Sequence, residues 1–392
     1  MIRLQGDVTS ERNEIFKTNR RASFLKKGGR TLVALCPLLA ALAAAAQVIE
    51  NPATPPSANA GRVMELREVA RITEEEGKFF FEQPWDVHTG PDGSVYVQEM
   101  KKLLKFDAQG RFVKNLLKWG EGPGELNGNL TDVVIGRDEI LLYSSNAYKV
   151  LRLDFDGRLL GEKKFTAGLS ALWGYRKGRY VGMKSERKDR PPGTGFFTDD
   201  YRLTYIADNG ETTTTSCLLP LTYSQHIRTL AGRPAAGRSS ISRFMPCRAD
   251  DQLLFLFHSP EYLIELVDLE KGELVRSFRR AYERVKYEYR RPKNLPDDYP
   301  IPKFHNDLCR LLWVKDRLWA VTSTVDKTKG ILVDVFSREG QYLDNFYLPL
   351  LKIRRNNPQY YAPMAIAGNV LYLLEADEDD LISLIKYEIV GN

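Results

Sequence analysis

The residues that most often carry catalysis are sparse in this sequence and lack catalytic spacing. Its four histidines, His88, His226, His258 and His305, form neither an HxH nor an HExxH pattern, so no two imidazoles are paired as metal ligands by their spacing. No serine occupies a Gly-x-Ser-x-Gly turn, which would present a hydrolase nucleophile. The sequence therefore gives no support to serine or cysteine hydrolase chemistry.

A glycine-rich stretch, Gly120–Gly124, invites comparison with a phosphate-binding loop. Such a loop ends in Gly-Lys-Ser/Thr and opens a helix, whereas this stretch lacks that ending and joins one predicted strand to the next. Glycine permits a positive φ and proline fixes φ, and both properties suit a tight connector. We interpret Gly120–Gly124 as a connector rather than as an anion site.

Three cysteines, Cys217, Cys247 and Cys309, follow the N-terminal segment, and none has CxxC spacing. An odd, sparse set of this kind predicts neither a disulfide framework nor a zinc site. One bridge between Cys217 and Cys247 remains open in an oxidising compartment. Buried free thiols are the simpler interpretation.

The chain has 392 residues and a formal net charge of +6, but the charge is unevenly distributed. Residues 1–46 hold eight Lys or Arg and three acidic residues, whereas the remainder holds 49 basic and 48 acidic residues. The body is therefore nearly neutral, which argues against nucleic acid as a partner. Hydrophobic residues make up 43% of the sequence, enough for a packed core, so global disorder is excluded.

The N-terminal segment is organised like an export signal. Basic residues precede an apolar run over Thr31–Ala46, whose last three alanines suit a signal peptidase. The run is shorter than the roughly 20 residues of a membrane span, although an uncleaved anchor helix is the alternative. Asn19–Gly29 is similar to a twin-arginine export signal. We predict an export signal at 1–46, an unfolded Pro-rich tether at 47–61, and a periplasmic or secreted protein without a stable membrane span after cleavage.

Internal repeats decide the fold class. Residues 84–117 contain four short runs rich in alternating apolar residues, separated by turns such as Gly90–Gly93 and Ala108–Gly110. Such runs are typical of antiparallel strands joined by hairpins, and four strands in a meander make one propeller blade. The pattern recurs along the chain, with a glycine in each outer turn. These glycines are Gly110, Gly157, Gly210, Gly272 and Gly340.

The sixth repeat lacks its fourth strand, and an unassigned strand candidate at Arg62–Ile72 can supply it. Pairing of the two ends closes the ring and removes exposed strand edges. The sequence therefore predicts an all-β fold, one six-bladed β-propeller of four-stranded antiparallel blades over residues 62–392. Seven blades or a pair of sandwiches is the alternative. Lys184–Asp200 and Thr222–Ser239 are predicted as polar loops.

The first repeats resemble a known group of propellers. Pro84–Gly110, with Asp-Gly-x-Val-Tyr-Val at 92–97 and Lys-Phe-Asp-x-x-Gly at 105–110, looks like the NHL-type repeat of six-bladed propellers. Trp119–Leu126 resembles the Gly-x-Gly-Pro-Gly-Glu connector of a group of exported bacterial six-bladed propellers. The resemblance is sharpest over the first two blades. It implies a scaffold rather than a particular activity.

In such a ring the innermost strands line a central channel, so polar and aromatic residues near the start of each repeat are candidate ligand contacts. They are Trp85, Asp86, His88, Asp132, Trp173, Arg243 and Asn306. Related six-bladed lactonases and lyases hold Ca²⁺ or Zn²⁺ in this channel. The resemblance therefore implies an alternative metal set of Asp86, Asp132, His305, Asn306 and Asp307, with His88 beside it. Aspartates that cap turns or strand amides are the simpler interpretation.

Two insertions interleave aromatic and cationic residues, a pattern that stacks on sugars and pairs with anions. The candidate contacts in these insertions, at 279–303 and 352–361, are Tyr287, Tyr289, Arg290, Arg291, Arg354 and Tyr360. Loops on a rigid scaffold often carry binding function. A solvated strand extension with long basic side chains is the alternative.

Two functions follow from these patterns. The first is an exported, non-enzymatic binding or scaffold propeller without a cofactor, whose partner is a glycan, an anionic small molecule or a protein. The second is a lactone hydrolase or lyase that depends on Ca²⁺ or Zn²⁺ in the channel. Metal ligands that converge would favour the second, and channel residues paired with each other would favour the first.

Overall fold

The computed structural model describes residues 48–186, 193–230, 233–288, 297–350 and 363–390. Within these ranges every regular element is a β-strand. The described residues contain no helix that is long and apolar enough to cross a membrane. The predicted export signal at 1–46 lies outside the described residues.

Three N-terminal strands precede the first repeat. They are β1 (Val48–Asn51), β2 (Arg62–Val63) and β3 (Glu65–Ile72). Blade one is the antiparallel meander of β4 (Asp86–Thr89), β5 (Val95–Gln98), β6 (Leu103–Phe106) and β7 (Phe112–Asn115). A short parallel pair, β8 (Lys118–Trp119) and β9 (Glu125–Leu126), forms the connector to blade two. The stretch Gly120–Gly124 thus joins strand to strand, as predicted.

Blade two repeats the four-stranded meander, and blade three extends it to five strands. Blade two is β10 (Asp132–Ile135), β11 (Ile140–Ser144), β12 (Lys149–Leu153) and β13 (Leu159–Lys164). Blade three is β14 (Ala171–Arg176), β15 (Arg179–Ser185), β16 (Gly195–Ala207), β17 (Thr212–Leu230) and β18 (Arg233–Ser240).

The predicted loops at 184–200 and 222–239 are wrong over most of their described length. Residues 195–200 extend β16, and 222–240 belong almost entirely to β17 and β18. Gly195 pairs with Gln225 at the far end of this extended hairpin, and Tyr223 pairs with Ser240 in the next one. Threonine, tyrosine and isoleucine favour strands, and this preference prevails over the polar composition of the segment.

Blades four and five each consist of a four-stranded meander with one added parallel strand. Blade four is β19 (Met245–Arg248), β20 (Leu253–Phe257), β21 (Ile264–Asp268) and β22 (Glu273–Arg280), with β1 at its outer edge. Blade five is β23 (Leu308–Val314), β24 (Arg317–Asp326), β25 (Gly330–Phe336) and β26 (Tyr342–Leu348), with β2 at its outer edge.

The segment 47–61, predicted as an unfolded tether, is anchored to the ring at its start. Val48–Asn51 pairs parallel with Ser277–Arg280 of blade four. The Asn51 amide donates to the carbonyls of Arg279 and Gly340, and its oxygen accepts the Tyr342 N–H. Strand edges offer unpaired backbone groups, and residues 48–51, which precede the prolines of this segment, pair with them.

Blade six confirms the predicted closure of the ring. Its strands are β27 (Met364–Ala367), β28 (Val370–Ala376) and β29 (Ile382–Val390), with β3 as the outermost strand. The antiparallel register places Ile72 opposite Leu384 and Glu65 opposite Val390. The described residues therefore form an all-β fold with six blades. Blades one to three are continuous meanders of four or five strands, blades four and five each add an N-terminal strand, and blade six takes its outer strand from the N-terminal segment.

The five predicted outer-turn glycines share one geometry. Their φ angles are +86°, +75°, +91°, +73° and +82° at 110, 157, 210, 272 and 340. Only glycine adopts such values without strain. In blade two the Asp154 carboxylate accepts the N–H groups of Asp156 and Arg158, and Asp107 does the same in blade one.

The hydrophobic core is divided into clusters that lie between successive blades. Phe106 and Val97 of blade one pack with Leu374 and Leu384 of blade six, and five further clusters join the remaining neighbours. Central strands such as Val95–Gln98 are buried throughout because a neighbouring blade covers each face. This packing holds the innermost strands in a ring around the central channel.

Candidate functional site

A cavity of about 590 Å³ lies at the centre of the ring. Residues from the innermost strand of every blade line it, from β4, β10, β14, β19, β23 and β27. We call it the central cavity. Six of the candidate ligand contacts form part of its wall, namely Trp85, Asp86, His88, Asp132, Trp173 and Arg243.

An ion pair crosses the central cavity between blades one and five. Arg310 of β23 places its guanidinium 3.1 and 3.2 Å from the two oxygens of Asp86 on β4. Asp86 also accepts the N–H of Val87 at 2.7 Å. Sequence reasoning missed Arg310, although a cation in the apolar run Leu308–Val314 was a usable signal.

His88 lies beside this pair and is held by a buried amide. Its Nε2 is 3.0 Å from Gln98 Oε1 and 3.7 Å from Asp86. Gln98 in turn donates to the carbonyl of Leu130 at 3.1 Å. Burial lowers the pKa of His88, against the opposing effect of Asp86. The imidazole is therefore neutral at physiological pH and adds no positive charge to the cavity.

Asp132 has an unusual environment for a carboxyl group. It accepts the Leu172 N–H at 3.0 Å. Protein surrounds it even though cavity water reaches it, and this loss of solvation raises its pKa to about 7. Asp132 is therefore only partly ionised at neutral pH.

Blades three and four add two more hydrogen-bond donors. Arg248 donates to the Trp173 carbonyl, and burial lowers the pKa of its guanidinium. The indole Nε1–H of Trp173 is buried and has no hydrogen-bond partner among the described residues. Arg243 is half-buried in the same wall. Sequence reasoning missed Arg248, which occupies the inner strand at the position where a polar residue faces the channel.

The predicted metal set is not assembled in one place. Asp86 and Asp132 line the central cavity, whereas His305, Asn306 and Asp307 are not among its lining residues. Asp307 instead pairs with Arg284 at 3.0 Å and accepts the Tyr262 N–H. The described part of the chain contains no group of three or more His, Cys, Asp or Glu side chains placed to hold a metal ion.

Asn306 is also hydrogen-bonded to protein backbone and is not among the residues that line the central cavity. Its amide donates to the Ile241 carbonyl at 2.9 Å. The neighbouring His305 ring contacts the Tyr287 ring edge-on, with 5.0 Å between centroids. The other predicted loop contacts lie outside the described residues. They are Tyr289, Arg290, Arg291, Arg354 and Tyr360.

The cysteines of the body are free thiols in this structure. Cys217 and Cys309 are buried and Cys247 is half-buried in the wall of the central cavity. Burial raises the pKa of both Cys217 and Cys247 to about 12. Neither thiol is therefore an activated nucleophile.

Among the described residues that line the central cavity, the charged side chains are three arginines and two aspartates, and His88 is neutral. One aspartate is paired with Arg310, and the other is partly protonated at neutral pH. The cavity is therefore rich in N–H donors and positive overall, an arrangement that attracts anions.

Comparison with known proteins supports the fold. Residues 91–215 match the DUF5128 family model, described as a 6-bladed beta-propeller. No curated protein matches the sequence. A protein of Bacteroides fragilis described as exported superposes with a TM-score of 0.50 at 11% identity, over 88% of this chain and 99% of that one.

Two enzymes with solved structures are also similar in fold, at lower scores. The aldose sugar dehydrogenase of Streptomyces coelicolor gives a TM-score of 0.42 at 12% identity, over 84% of this chain and 99% of that one. The gluconolactonase XC5397 of Xanthomonas campestris gives 0.40 at 12% identity, over 86% and 98%. The chain is therefore a six-bladed β-propeller, with residues 91–215 matching the family of that description.

Proposed function

We propose that this chain is a non-enzymatic binding propeller that holds an anionic small molecule in the central cavity. The observation that carries the proposal is the excess of arginine over ionised carboxylate in the cavity wall. A volume of about 590 Å³ lies within the usual range for small-molecule sites. The ligand displaces water and meets the guanidinium groups of Arg243, just before β19, of Arg248 in blade four and of Arg310 in blade five.

Arginine suits this role because its planar fork binds carboxylate or phosphate through two parallel hydrogen bonds. Arg310 donates to both Asp86 and the Val87 carbonyl, which fixes its guanidinium in the wall of the central cavity. Arg248 likewise uses one donor on the Trp173 carbonyl.

We also propose that the protein acts outside the cytoplasm. The support is the N-terminal sequence, where basic residues, an apolar run and three alanines follow each other over residues 1–46. An extracytoplasmic site agrees with a soluble ligand such as a sugar acid, a glycan fragment or another organic acid.

A lactone hydrolase or lyase is the second candidate. One observation favours it, the carboxyl of Asp132 with a pKa of about 7, because such a group exchanges protons readily at neutral pH. The positions of the aspartates argue against this candidate. Asp86 and Asp132 line the central cavity, whereas Asp307 is not among its lining residues and pairs with Arg284. Binding therefore remains the preferred function.

Calorimetric titration of the full chain with citrate, D-glucuronate and inorganic phosphate tests the proposal. We expect at least one of these anions to bind and Arg243→Gln to weaken it roughly tenfold, as for loss of a charge-assisted hydrogen bond. The matched control is Arg67→Gln, on the exposed outer strand of blade six. Absence of binding by all three anions would contradict the proposal, whereas bound Ca²⁺ or Zn²⁺ with lactone turnover would establish the second candidate.

A further inference from the structure

A second cavity of about 650 Å³ adjoins the central cavity. We call it the outer cavity, and its wall includes Gln83, Trp85, Asn129, Thr131, Ser145 and Asn146. Trp85 and Thr131 line both cavities, so the two spaces are neighbours on either side of these residues.

The two cavities differ in charge. The central cavity has three arginines, from blades four and five and the connector before blade four, whereas the only charged residue among the described lining residues of the outer cavity is Glu82. The outer wall offers one indole, amides and hydroxyls instead. An indole face covers the apolar face of a sugar ring, and amides and hydroxyls bond its hydroxyl groups.

The polar groups of the outer wall are already ordered. The hydroxyls of Thr131 and Ser145 are 3.0 Å apart, and the Ser145 N–H donates to Thr131 Oγ1 at 2.9 Å. Ser145 Oγ lies 3.4 Å from Asn146 Oδ1. Because this series of hydrogen bonds uses Asn146 Oδ1, the amide nitrogen of Asn146 points away from Ser145. Little side-chain entropy is lost when a ligand binds such a wall.

The loop that carries Trp85 is also fixed by buried groups. The Trp85 N–H donates to the Gln98 carbonyl at 3.0 Å. Glu99, which is buried, accepts the N–H of Glu82 at 2.8 Å. Gln98 itself bonds both His88 in the central cavity and the Leu130 carbonyl beside the outer cavity. The wall shared by the two cavities is therefore one hydrogen-bonded unit.

We propose that the ligand is an acidic saccharide, with its carboxylate in the central cavity and a neutral sugar ring in the outer cavity against Trp85. This inference rests on the anion site proposed above and names its ligand class. A polyanion such as a nucleoside triphosphate fits less well, because the described lining residues of the outer cavity include no cation for a second charged group, and Glu82 is already paired with Lys102 at 2.6 Å.

The test compares D-glucuronate with citrate, which carries carboxylates but no sugar ring. Both are titrated calorimetrically into the full chain and into Trp85→Leu and Asn146→Ala. We expect Trp85→Leu to weaken glucuronate about three- to tenfold, as for loss of one aromatic stacking contact, and Asn146→Ala to weaken it about fivefold. Citrate binding to Asn146→Ala should stay within about twofold, because Asn146 lines only the outer cavity. Trp85 also lines the central cavity, so Trp85→Leu is expected to weaken both ligands, and glucuronate more than citrate.

Matched controls are available for both variants. Trp119→Leu removes a tryptophan that is 46% exposed in the connector of blade two, and Asn59→Ala removes an exposed asparagine near β2. Neither residue lines the two cavities. Asn146 is itself exposed, so Asn146→Ala should fold even if Trp85→Leu does not.

The outcomes separate the two proposals. Loss of glucuronate affinity in Asn146→Ala with citrate unaffected, and a larger loss for glucuronate than for citrate in Trp85→Leu, support the acidic saccharide. Equal effects of Asn146→Ala on both ligands, no effect on glucuronate, or binding of citrate or phosphate without glucuronate overturn it while the anion site stands. If citrate, D-glucuronate and phosphate all fail to bind the unaltered chain, the anion site fails and the saccharide proposal fails with it.

Discussion

Two groups of arginine, aspartate and aromatic side chains lie in this propeller, and they are built in opposite ways. Between blades four and five, Asp334 is fully buried and accepts hydrogen bonds from Arg280, Tyr262 and Tyr342, each at 2.7 Å. The Arg280 guanidinium also lies over the ring of Tyr282, 4.9 Å from its centroid. Both oxygens of Asp334 are thus occupied by protein donors.

The central cavity uses the same residue types in a less closed arrangement. Asp86 pairs with Arg310, Arg248 donates to the Trp173 carbonyl, and the indole N–H of Trp173 has no partner among the described residues. Asp132 accepts a single backbone N–H. Water has access to this group, whereas it has none to Asp334.

The difference separates a structural role from a binding role. A fully satisfied buried network orders the packing of two blades and has no capacity for a ligand. An incompletely satisfied group next to a cavity can be completed by a ligand, and its excess donors determine the sign of that ligand's charge. Residue type alone does not distinguish the two groups.

The largest expected effect is on the closed network. Asp334→Ala leaves Arg280 buried without its counter-charge, and we expect a loss of about 3–5 kcal/mol in the free energy of unfolding. Urea denaturation measures it. Asp344→Ala, which removes a partly exposed partner of Arg62, is the control and should cost less than about 1 kcal/mol. Similar losses in both variants would contradict the structural role.

Arg310→Gln should lower the free energy of unfolding less than Asp334→Ala does. Its larger effect should be on anion binding. Cavity water can solvate Asp86 when its partner is removed, so we expect a stability loss of about 1–2 kcal/mol. Anion affinity should fall roughly tenfold or more, because charge and donors are lost together. Denaturation and calorimetry on the same variant give both values. A stability loss as large as that of Asp334→Ala, with unchanged anion affinity, would contradict the distinction between the structural Asp334 network and the binding role of the central cavity.

Asp132 makes stability depend on pH. Its pKa in the folded chain, about 7, lies above the ordinary value of 3.8, so the native state binds more protons than the unfolded state between these values. The wild-type chain therefore loses stability relative to Asp132→Asn as pH rises from about 4 to 7, and the difference stays constant above that. We expect a final difference of roughly 2 kcal/mol, reduced by cavity water. Thermal melts of both chains from pH 4 to pH 9 measure it.

The same titration should modulate the anion site. Ionised Asp132 opposes a bound anion, so affinity should fall by roughly three- to tenfold as pH rises through about 7. Asp132→Asn should bind with nearly the same affinity at pH 6 and pH 8. A wild-type anion affinity that is equal at the two pH values would show that Asp132 does not interact electrostatically with the bound ligand.

The smallest expected effect is on an exposed pair at the ring closure. Arg67 and Glu388 join β3 to β29, and the arginine side chain is 64% exposed. Arg67→Gln should change the free energy of unfolding by less than about 0.5 kcal/mol, because exposed ion pairs are screened by water and salt. A larger loss by urea denaturation would show that closure depends on this pair as well as on the backbone ladder.

Most of the fold was predictable because its determinants are local. The alternating strands, the outer-turn glycines and the missing fourth strand of blade six all follow from short-range patterns, and the pairing of β3 with β29 confirms the closure. Polar composition was misleading in blade three, where 195–200 and 222–240 are strands. Proline content was misleading at Val48–Asn51, because an edge strand is defined by its partner.

The candidate site was only partly predictable. Position at the start of a repeat identified Trp85, Asp86 and Asp132 as channel residues, since inner strands recur at each repeat. It placed Asn306 there as well, yet that side chain bonds the Ile241 carbonyl. The loop residues 289–291, 354 and 360 stay a prediction, because they lie outside the described residues.

By itself the sequence determined the blade count, the turns and the closure of the ring, because strand period and positive φ are properties of neighbouring residues. Only the tertiary structure decided which charges meet. Arg310 reaches Asp86 across 224 residues of sequence, and Asp307 pairs with Arg284 instead of the channel. Such pairings depend on how six blades pack around one axis, and neither residue spacing nor composition records that geometry.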